Sequence, residues 1–278
     1  MPELPEVETV KRTLSTQVLN KPIIAVTVFY EPMIKNVTPQ QFQDKLIGNQ
    51  ITEILRRGKY LIFKLTQGYL VSHLRMEGKY FFEDESEVPG KHVHVAFRFE
   101  DKTQLFYEDT RKFGTFHYFE TFLELEQSKS FQALGVEPFS DAFTPSYVKK
   151  HLEKKKKPIK SLLLDQTVVV GLGNIYVDEV LFRSKINPLT KAYQLTELEA
   201  KEIVTHTNQV LAKAIEHRGT TIRTFASSHG SGTYQHELKV HQRAGEPCPV
   251  CQTNIVKIKV GGRGTYYCEM CQPILEEE

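Results

Sequence analysis

The sequence has only four cysteines among 278 residues, and all four lie between residues 248 and 271. Secreted proteins with a disulfide framework spread their cysteines over the fold, so this distribution indicates one local site. No stretch approaches about eighteen uncharged apolar residues, which argues against a membrane-spanning helix. The first residues also lack the basic, apolar and small segments of a signal peptide, so we expect a cytosolic protein.

A strong net charge is missing as well, since 36 Lys and Arg stand against 34 Asp and Glu and give a formal net charge of +2. Net charge alone therefore does not indicate a nucleic-acid partner. The distribution is more informative, because residues 147–160 contain seven lysines and one glutamate. Such a run is either a solvated surface or a stripe that binds phosphates, and the charge pattern leaves both open.

The spacing of apolar residues divides the chain into two parts. From Leu4 to Val18 they are spaced as in a helix. Residues 23–119 then carry short alternating runs separated by turn signals, which are typical of an antiparallel β-sandwich or barrel. Helical spacing returns after residues 131–143, where we place a domain boundary. The sequence thus predicts an α+β fold.

Helix signals recur in the second part. Thr144 and the proline after it predict the start of a helix that runs through the lysine-rich stretch. The glycines of residues 171–173 separate two further helical segments. Thr196, with a glutamate three residues later, forms a capping box for another helix. Residues 224–235 are polar and rich in glycine, so we expect a loop there.

The strongest single motif is Cys248-x-x-Cys251, sixteen residues, then Cys268-x-x-Cys271. Each pair places two thiolates on one tight turn, and two such turns make a tetrahedral four-sulfur site that suits zinc. Four protein ligands leave no open position for water, so the expected metal is structural. The alternative is four free thiols at this spacing.

The residues between the two cysteine pairs alternate and turn at Gly261-Gly262, which predicts a hairpin held by the metal. Arg263 follows directly at the tip of this hairpin. A rigid arginine beside exposed backbone could enter a nucleic-acid groove, or it could be an ordinary surface residue.

The chain begins MPELPEVETV. If Met1 is removed, the nitrogen of Pro2 becomes a free secondary amine, and Glu3 and Glu6 lie within one helical turn of it. This arrangement is either a helix start or a nucleophile with acid and base partners nearby.

Three further stretches carry exposed or anion-binding candidates. HLRMEG (73–78) contains Met76, and DTRKFG (109–114) contains Arg111 and Phe113. These apolar residues are either core residues at strand ends or wedges that unstack a duplex. In GLGNIY (171–176), Asn174 begins a helix after a glycine turn. It either caps that helix or donates to a phosphate.

Together these residues carry a family resemblance over nearly the whole chain. PELPEVE at the start, RRGKYL, HLRMEG, DTRKFG, GLGNIYVDE and a terminal ribbon with GRGTYYC resemble the bacterial formamidopyrimidine-DNA glycosylases. The related endonuclease VIII type usually begins Pro-Glu-Gly-Pro, where this chain has Leu4, which favours the formamidopyrimidine side.

The resemblance implies an enzyme that removes oxidised purines, such as 8-oxoguanine and formamidopyrimidines, from duplex DNA and then cuts the backbone by β,δ-elimination. It implies an N-terminal β-sandwich with a flanking helix at residues 1–133 and a zinc ribbon at residues 236–278. Between them, residues 134–235 are implied to form a helix–two-turns–helix domain with a loop, near residues 220–234, that covers the flipped-out base. One structural Zn²⁺ and damaged double-stranded DNA are the implied partners, with no small-molecule cofactor and no membrane. We expect a monomer in the bacterial cytoplasm, associated with the nucleoid.

The resemblance also assigns roles to single residues. Pro2 is the implied nucleophile, Glu3 the general acid and base, and Glu6 the residue that orients the N-terminus. Lys59 and Arg263 belong to the same implied catalytic set and contact DNA phosphates. The implied DNA-binding residues are Met76, His92, Arg111, Phe113, Lys156 and Asn174, with Glu77 as a weaker candidate. Zinc is assigned to Cys248, Cys251, Cys268 and Cys271.

Two alternatives stay open from the sequence. One is a glycosylase of the endonuclease VIII type that acts on oxidised pyrimidines. The other is a catalytically silent DNA-binding protein that kept the scaffold, which would be expected to lose Pro2, Glu3 or Lys59; all three are present.

Overall fold

The computed structural model describes residues 1–220 and 232–274. The chain forms two compact units, the first from Met1–Gln132 with Arg218–Thr233, and the second from Ala133–His217 with Tyr234–Glu278. Most of the loop predicted at 224–235 lies outside the described residues. The finer division of the second unit at residue 235 stays a prediction.

The first unit contains eight strands and four helices. Their bounds are α1 Leu4–Ser15, β1 Ile23–Val28, α2 Pro39–Leu46, β2 Ile51–Arg57, β3 Tyr60–Leu65, β4 Tyr69–His73, β5 Lys79–Asp84, β6 Val93–Phe99, β7 Thr103–Glu108, β8 Thr115–Phe119, α3 Phe122–Gln127 and α4 Lys129–Gln132, with a 3₁₀ turn at Glu31–Met33. Two four-stranded sheets have the strand orders β1-β6-β7-β5 and β2-β3-β4-β8.

Both sheets are antiparallel throughout. Alternate residues of each strand point to opposite faces, and one apolar set from each sheet meets in a shared core. Large aromatic side chains such as Phe63, Tyr107 and Phe116 are fully buried there, and Val7 and Leu14 of α1 join the same core. The expected β-sandwich with a flanking N-terminal helix is confirmed.

Helix α2 was not predicted, because the sequence between residues 23 and 119 was assigned to strands alone. Thr38 caps this helix by accepting from the backbone N–H of Gln41 at 3.1 Å, and Phe42 and Leu46 are buried. The capping signal is present in the sequence, but two turns are too short to show a clear helical period.

The second unit is helical and ends in a two-stranded ribbon. Its elements are α5 Pro145–Leu152, α6 Ile159–Leu164, α7 Asn174–Arg183, α8 Glu197–Glu216, β9 Val256–Val260 and β10 Arg263–Tyr267, with 3₁₀ turns at Ala192–Gln194 and Tyr234–Glu237. The capping box at Thr196 is present, and Thr144 caps α5 through the backbone N–H of Tyr147. None of the described helices has the length and apolarity needed to cross a bilayer.

The expectation that α5 continues through the lysine-rich stretch was wrong. The helix ends at Leu152, and Lys154–Lys157 lie exposed in the connection to α6. Four adjacent like charges repel one another, and Pro158 disfavours helical backbone in the residue before it. The lysines therefore protrude from a turn, where their ammonium groups stay in water.

Candidate functional site

Met1 is exposed, and the residues that follow it are buried. Pro2 and Glu3 immediately precede α1, and Glu3 and Glu6 are only 2% and 3% exposed. The backbone N–H of Glu3 donates to Glu6 Oε2 at 2.9 Å, which is half of a capping box at the N-terminus of α1. The two carboxylates therefore lie at the N-terminal end of α1, beside the nitrogen of Pro2.

Glu6 also binds a distant segment of the same unit. Its Oε1 accepts from the backbone N–H of Thr220 at 2.8 Å and from the Thr220 hydroxyl at 3.2 Å. Gly219 has a φ of +81°, and a Cβ there would lie 2.5 Å from Glu6 Oε1, so only glycine fits beside the carboxylate. These contacts fix the orientation of Glu6 and, through it, of the chain start.

Lys59 lies in the two-residue turn between β2 and β3 and is mostly buried. The preceding Gly58 has a φ of 56°, and its carbonyl accepts from Arg56 Nη1 at 3.0 Å. Arg56 Nε donates to Glu8 Oε2 on α1, also at 3.0 Å. The Glu8–Arg56 pair thus connects the turn that carries Lys59 to the helix that follows Pro2 and Glu3.

The sequence analysis missed Glu8, although a signal was present. Glu8 lies four residues after buried Leu4 and so falls on the buried face of α1. Burial by itself would raise the pKa of Glu8, but hydrogen bonds from Arg56 and Arg12 and the charge of Lys11 lower it overall. An acid on an apolar helix face needs a cationic partner, and Arg56 is that partner.

His73 ends β4 and orders the turn that carries Met76. Its Nδ1 accepts from the backbone N–H of Arg75 at 2.9 Å, and Arg75 has a φ of 54°. Burial, together with the charges of Arg75, Lys59 and His117, lowers the pKa of His73 to about 3. A neutral ring is required because a protonated Nδ1 could not accept this bond.

Asp109 orders the second turn, which carries Arg111 and Phe113. Its carboxylate accepts from the backbone N–H groups of Arg111 at 2.9 Å, Phe113 at 3.0 Å and Gly114 at 2.8 Å. Three donors on one buried carboxylate hold the backbone in a tight arc. Phe113 is left 51% exposed, with the Arg111 guanidinium carbon 4.9 Å from its ring centre. The role of Asp109 was not predicted from the sequence, because the backbone donors that it binds are set by the fold of the turn.

The two turns meet. The Thr110 hydroxyl hydrogen-bonds to the carboxylate of Glu77, and both Gly78 and Gly114 face the Tyr107 hydroxyl. A Cβ on Gly114 would lie 1.7 Å from that oxygen, so the glycine is needed for the close approach. Met76 and Phe113 are therefore presented by neighbouring turns. His92 contributes its carbonyl, which accepts from the backbone N–H of Asp109 at 3.0 Å.

In the second unit, a hydrogen bond to the carbonyl of Gly264 places Asn174 beside the backbone that directly follows Arg263. Asn174 begins α7 without capping it, since Gly173 is the N-cap, and Asn174 Nδ2 donates to the Gly264 oxygen at 2.9 Å. Arg263 directly precedes Gly264 and is exposed. Lys156 lies in the exposed lysine turn before α6, and its side chain is free to reach an anion.

The four cysteines form a compact cluster. Their sulfur atoms all lie within 4.8 Å of one another, with Cys248 and Cys271 at 3.8 Å and Cys251 and Cys268 at 3.4 Å. Tetrahedral zinc with Zn–S bonds of about 2.3 Å separates its sulfur ligands by about 3.8 Å. The donor set and its spacing thus fit one structural zinc. The cluster packs against Phe182, Val240 and Ile255.

Comparison with known proteins agrees with this geometry. The formamidopyrimidine-DNA glycosylase N-terminal domain matches residues 1–116, the H2TH domain of the same glycosylase matches residues 134–226, and a zinc finger found in FPG and IleRS matches residues 245–274. The formamidopyrimidine-DNA glycosylase of Mycoplasma genitalium is 48% identical over 99% of this chain and 96% of its own length. That of Bacillus cereus is also 48% identical, over 98% of this chain and 99% of its own.

The chain belongs to the formamidopyrimidine-DNA glycosylase family. Solved structures of the family share its fold. A Lactococcus lactis FPG variant bound to Fapy-dG-containing DNA has a TM-score of 0.92 at 41% identity, covering 98% of this chain and 100% of that one. A complex of Lactococcus lactis Fpg with DNA containing an abasic site has the same TM-score and identity, covering 98% and 99%. The family, the fold and the structural zinc expected from the sequence are confirmed.

Protonation of His73 should destabilise this glycosylase fold as the pH falls. Its pKa is about 3 when folded and about 6.5 when unfolded, so its contribution is complete above pH 6.5 and is lost below it. Between pH 7.5 and 5 this amounts to about 2 kcal/mol. H73N keeps an acceptor for the Arg75 N–H and cannot titrate, so its free energy of unfolding should fall less over this range by that amount. Equal pH dependence in urea melts of the two proteins would contradict the assignment.

Loss of one cysteine should release the metal and unfold the ribbon. C251S is expected to bind less than one zinc per chain and to be cut by protease within residues 245–274, because the ribbon depends on the metal for its folding energy. The control V250S changes an exposed neighbour and should keep one zinc. Metal analysis and limited proteolysis measure both effects. A protected C251S ribbon without zinc would contradict a structural role for the metal.

Proposed function

We propose that this chain is a bifunctional base-excision-repair enzyme that removes oxidised purines, 8-oxoguanine and formamidopyrimidines, from duplex DNA and then cleaves the abasic site. The observation that carries the proposal is the buried chain start, where Glu6 orients Glu3 and the nitrogen of Pro2 precedes them in a family of DNA glycosylases. We further propose that it acts as a monomer in the bacterial cytoplasm, on nucleoid DNA.

Pro2 is the nucleophile once Met1 has been removed. An ordinary α-amino group has a pKa of about 7.7–8.0, so roughly a third of it is neutral at pH 7.5. The secondary amine attacks C1′ of the damaged nucleotide, and the C1′–N bond breaks as the base leaves with the bonding electrons and takes up a proton. The amine then loses its proton, the C1′–O4′ bond breaks as O4′ is protonated, and the nitrogen lone pair forms an iminium between Pro2 and C1′. The iminium acidifies C2′, and loss of that proton expels the 3′-phosphate. A second elimination expels the 5′-phosphate.

Glu3 is the general acid and base of these steps. It lies next to Pro2 in the chain and in a site from which water is largely excluded. It protonates the ring oxygen of the deoxyribose during attack and takes up a proton afterwards. Glu6 accepts hydrogen bonds on both oxygens, so it orients the chain start and does not exchange protons with substrate. Lys59 neutralises the phosphate next to the damaged nucleotide.

The damaged base must leave the base stack of the DNA duplex before Pro2 can reach C1′, and this costs a few kcal/mol. Met76 and Phe113 are presented by adjoining turns and fill the space that the base vacates. Arg111 donates to the base left unpaired on the opposite strand, since a guanidinium offers donors in a fixed plane. The Asp109 and His73 hydrogen bonds hold these turns in place before DNA arrives.

The second unit binds the phosphates of the DNA backbone. Asn174, Arg263 and the lysine turn with Lys156 supply neutral and cationic donors to phosphates, and His92 adds a donor from the first unit. The zinc, held by four cysteines without an open position, stabilises the ribbon that presents Arg263 and takes no part in the reaction.

Borohydride trapping tests the proposal. Protein freed of Met1, as verified by intact mass, should form a reduced covalent adduct with duplex DNA containing 8-oxoguanine. The matched control is the same chain with a retained N-terminal extension, in which the Pro2 nitrogen is an amide. This control should bind DNA with an abasic analogue and form no adduct. Absence of an adduct from the Met1-free protein, or equal adducts from both, would refute the proposal; preference for thymine glycol would indicate the pyrimidine-specific type.

A further inference from the structure

Lys160, the second residue of α6, has no role in the proposed chemistry, yet it is 0% exposed. Its Nζ atom donates to Asp178 Oδ1 at 2.7 Å, to the Gly264 carbonyl at 3.1 Å and to Thr265 Oγ1 at 2.8 Å. An ammonium group carries three N–H donors, so these acceptors match its full capacity. Two of the three acceptors belong to β10 of the ribbon.

Asp178 extends this network to two further segments. It lies on α7, is 1% exposed, and accepts at Oδ2 from His241 Nδ1 at 2.8 Å and from the backbone N–H of Tyr266 at 3.3 Å. The Lys160–Asp178 pair therefore connects α6, α7, the chain at His241 and strand β10 through one buried set of hydrogen bonds.

Stability alone does not explain this pair. Removing an ammonium and a carboxylate from water costs several kcal/mol for each ion, and apolar residues of similar size often stabilise a fold equally well. A buried ion pair does fix geometry, because each charge tolerates only a few arrangements of its partners. The role of this pair therefore depends on which segment of the chain it holds in place.

The acceptors and donors of the network on β10 are Gly264, Thr265 and Tyr266, the three residues that directly follow Arg263. The turn on the other side of Arg263 also lies close to α6, since a Cβ on Gly261 would be 2.7 Å from Ser161 Oγ. The backbone around Arg263 is thus hydrogen-bonded to Lys160 of α6 on one side and packed closely against Ser161 of α6 on the other.

Asn174 depends on the same anchor. The Gly264 carbonyl accepts from Lys160 Nζ and from Asn174 Nδ2 together. Asn174 Oδ1 is buried and has no hydrogen-bond partner among the described residues. The Asn174 amide is therefore oriented through Gly264 alone, and movement of that carbonyl would turn it.

We propose that Lys160 and Asp178 are positioning residues, which hold residues 264–266 against α6 and α7 so that Arg263 and Asn174 face the DNA backbone together. This rests on the proposed function, in which Arg263 and Asn174 bind phosphates. The network does not touch DNA and acts only through the placement of these two side chains.

The double variant K160M/D178N tests the proposal, because it removes both charges at nearly constant volume and leaves no unpaired ion. It should keep one zinc per chain. Its Kd for a duplex with a tetrahydrofuran abasic analogue should rise about tenfold, or about 1.4 kcal/mol. The slope of log K against log salt should fall by about 0.9, since one phosphate contact is lost. Fluorescence anisotropy between 50 and 200 mM salt, roughly the range over which such slopes are measured, gives both values.

R263Q separates positioning from general weakening of the fold. R263Q should lower the slope of log K against log salt by about as much as K160M/D178N does. Adding K160M/D178N to R263Q should then change Kd less than about twofold, because two substitutions are not additive when one acts through the other. I203V, at a fully buried position of α8 outside the network, should lower the unfolding temperature and keep the wild-type slope.

The variants test the phosphate contact of Arg263 and the positioning role of the Lys160–Asp178 pair separately. An unchanged slope in R263Q would refute the phosphate role of Arg263 in the proposed function. A lowered slope in R263Q with a wild-type slope in K160M/D178N would overturn the positioning role. If the double variant loses zinc, T265V replaces it, since at constant shape it removes the hydroxyl that accepts from Lys160 at 2.8 Å and donates to the Arg263 carbonyl at 3.1 Å. T265V should hold one zinc and raise Kd about threefold, or about 0.6 kcal/mol; wild-type affinity would likewise overturn the inference.

Discussion

The carboxylate of Glu6 accepts hydrogen bonds from the backbone of Glu3 and from the backbone and hydroxyl of Thr220, 214 residues further along the chain. Both oxygens are engaged in a buried position, so the acid cannot be displaced without leaving N–H donors unsatisfied. The start of a chain is ordinarily its most mobile part, and here it is fixed. The proposed nucleophile, the nitrogen of Pro2, directly precedes this ordered segment.

Buried polar groups with several hydrogen bonds recur in both units. Asp109 gathers three backbone donors, His73 accepts one, and the Lys160–Asp178 pair anchors the ribbon. In each case a buried polar group with satisfied hydrogen bonds holds a turn or a strand, and the residue proposed to contact DNA lies beside it. The exposed side chains thus remain available while their backbone is already ordered, which reduces the entropy cost of binding.

The sequence predicted the sandwich, the capped helices and the zinc ribbon because each rests on local patterns: alternation, capping boxes and paired cysteines. It also identified the exposed residues Arg111, Phe113 and Arg263. It did not identify Glu8, Asp109, Lys160 or Asp178 as supports, since their partners are Arg56, turn amides and a ribbon strand that only the tertiary fold brings close. Lys160 shows the limit most clearly. In the sequence it belongs to a run of solvated lysines, whereas the fold buries it completely.

The most direct test of the Glu6 interaction is the rate at which Met1-free E6Q forms the borohydride-trapped adduct, measured under single-turnover conditions. An amide offers one acceptor oxygen and an NH₂ group with two donors, so its NH₂ group must face either the Glu3 N–H or the Thr220 N–H, and one bond is lost whichever way it lies. We expect adduct formation by E6Q to be at least about tenfold slower than in the wild type, or about 1.4 kcal/mol in the barrier, with E53Q on the surface unaffected. An E6Q rate equal to that of the wild type would contradict the claim that this carboxylate positions the nucleophile.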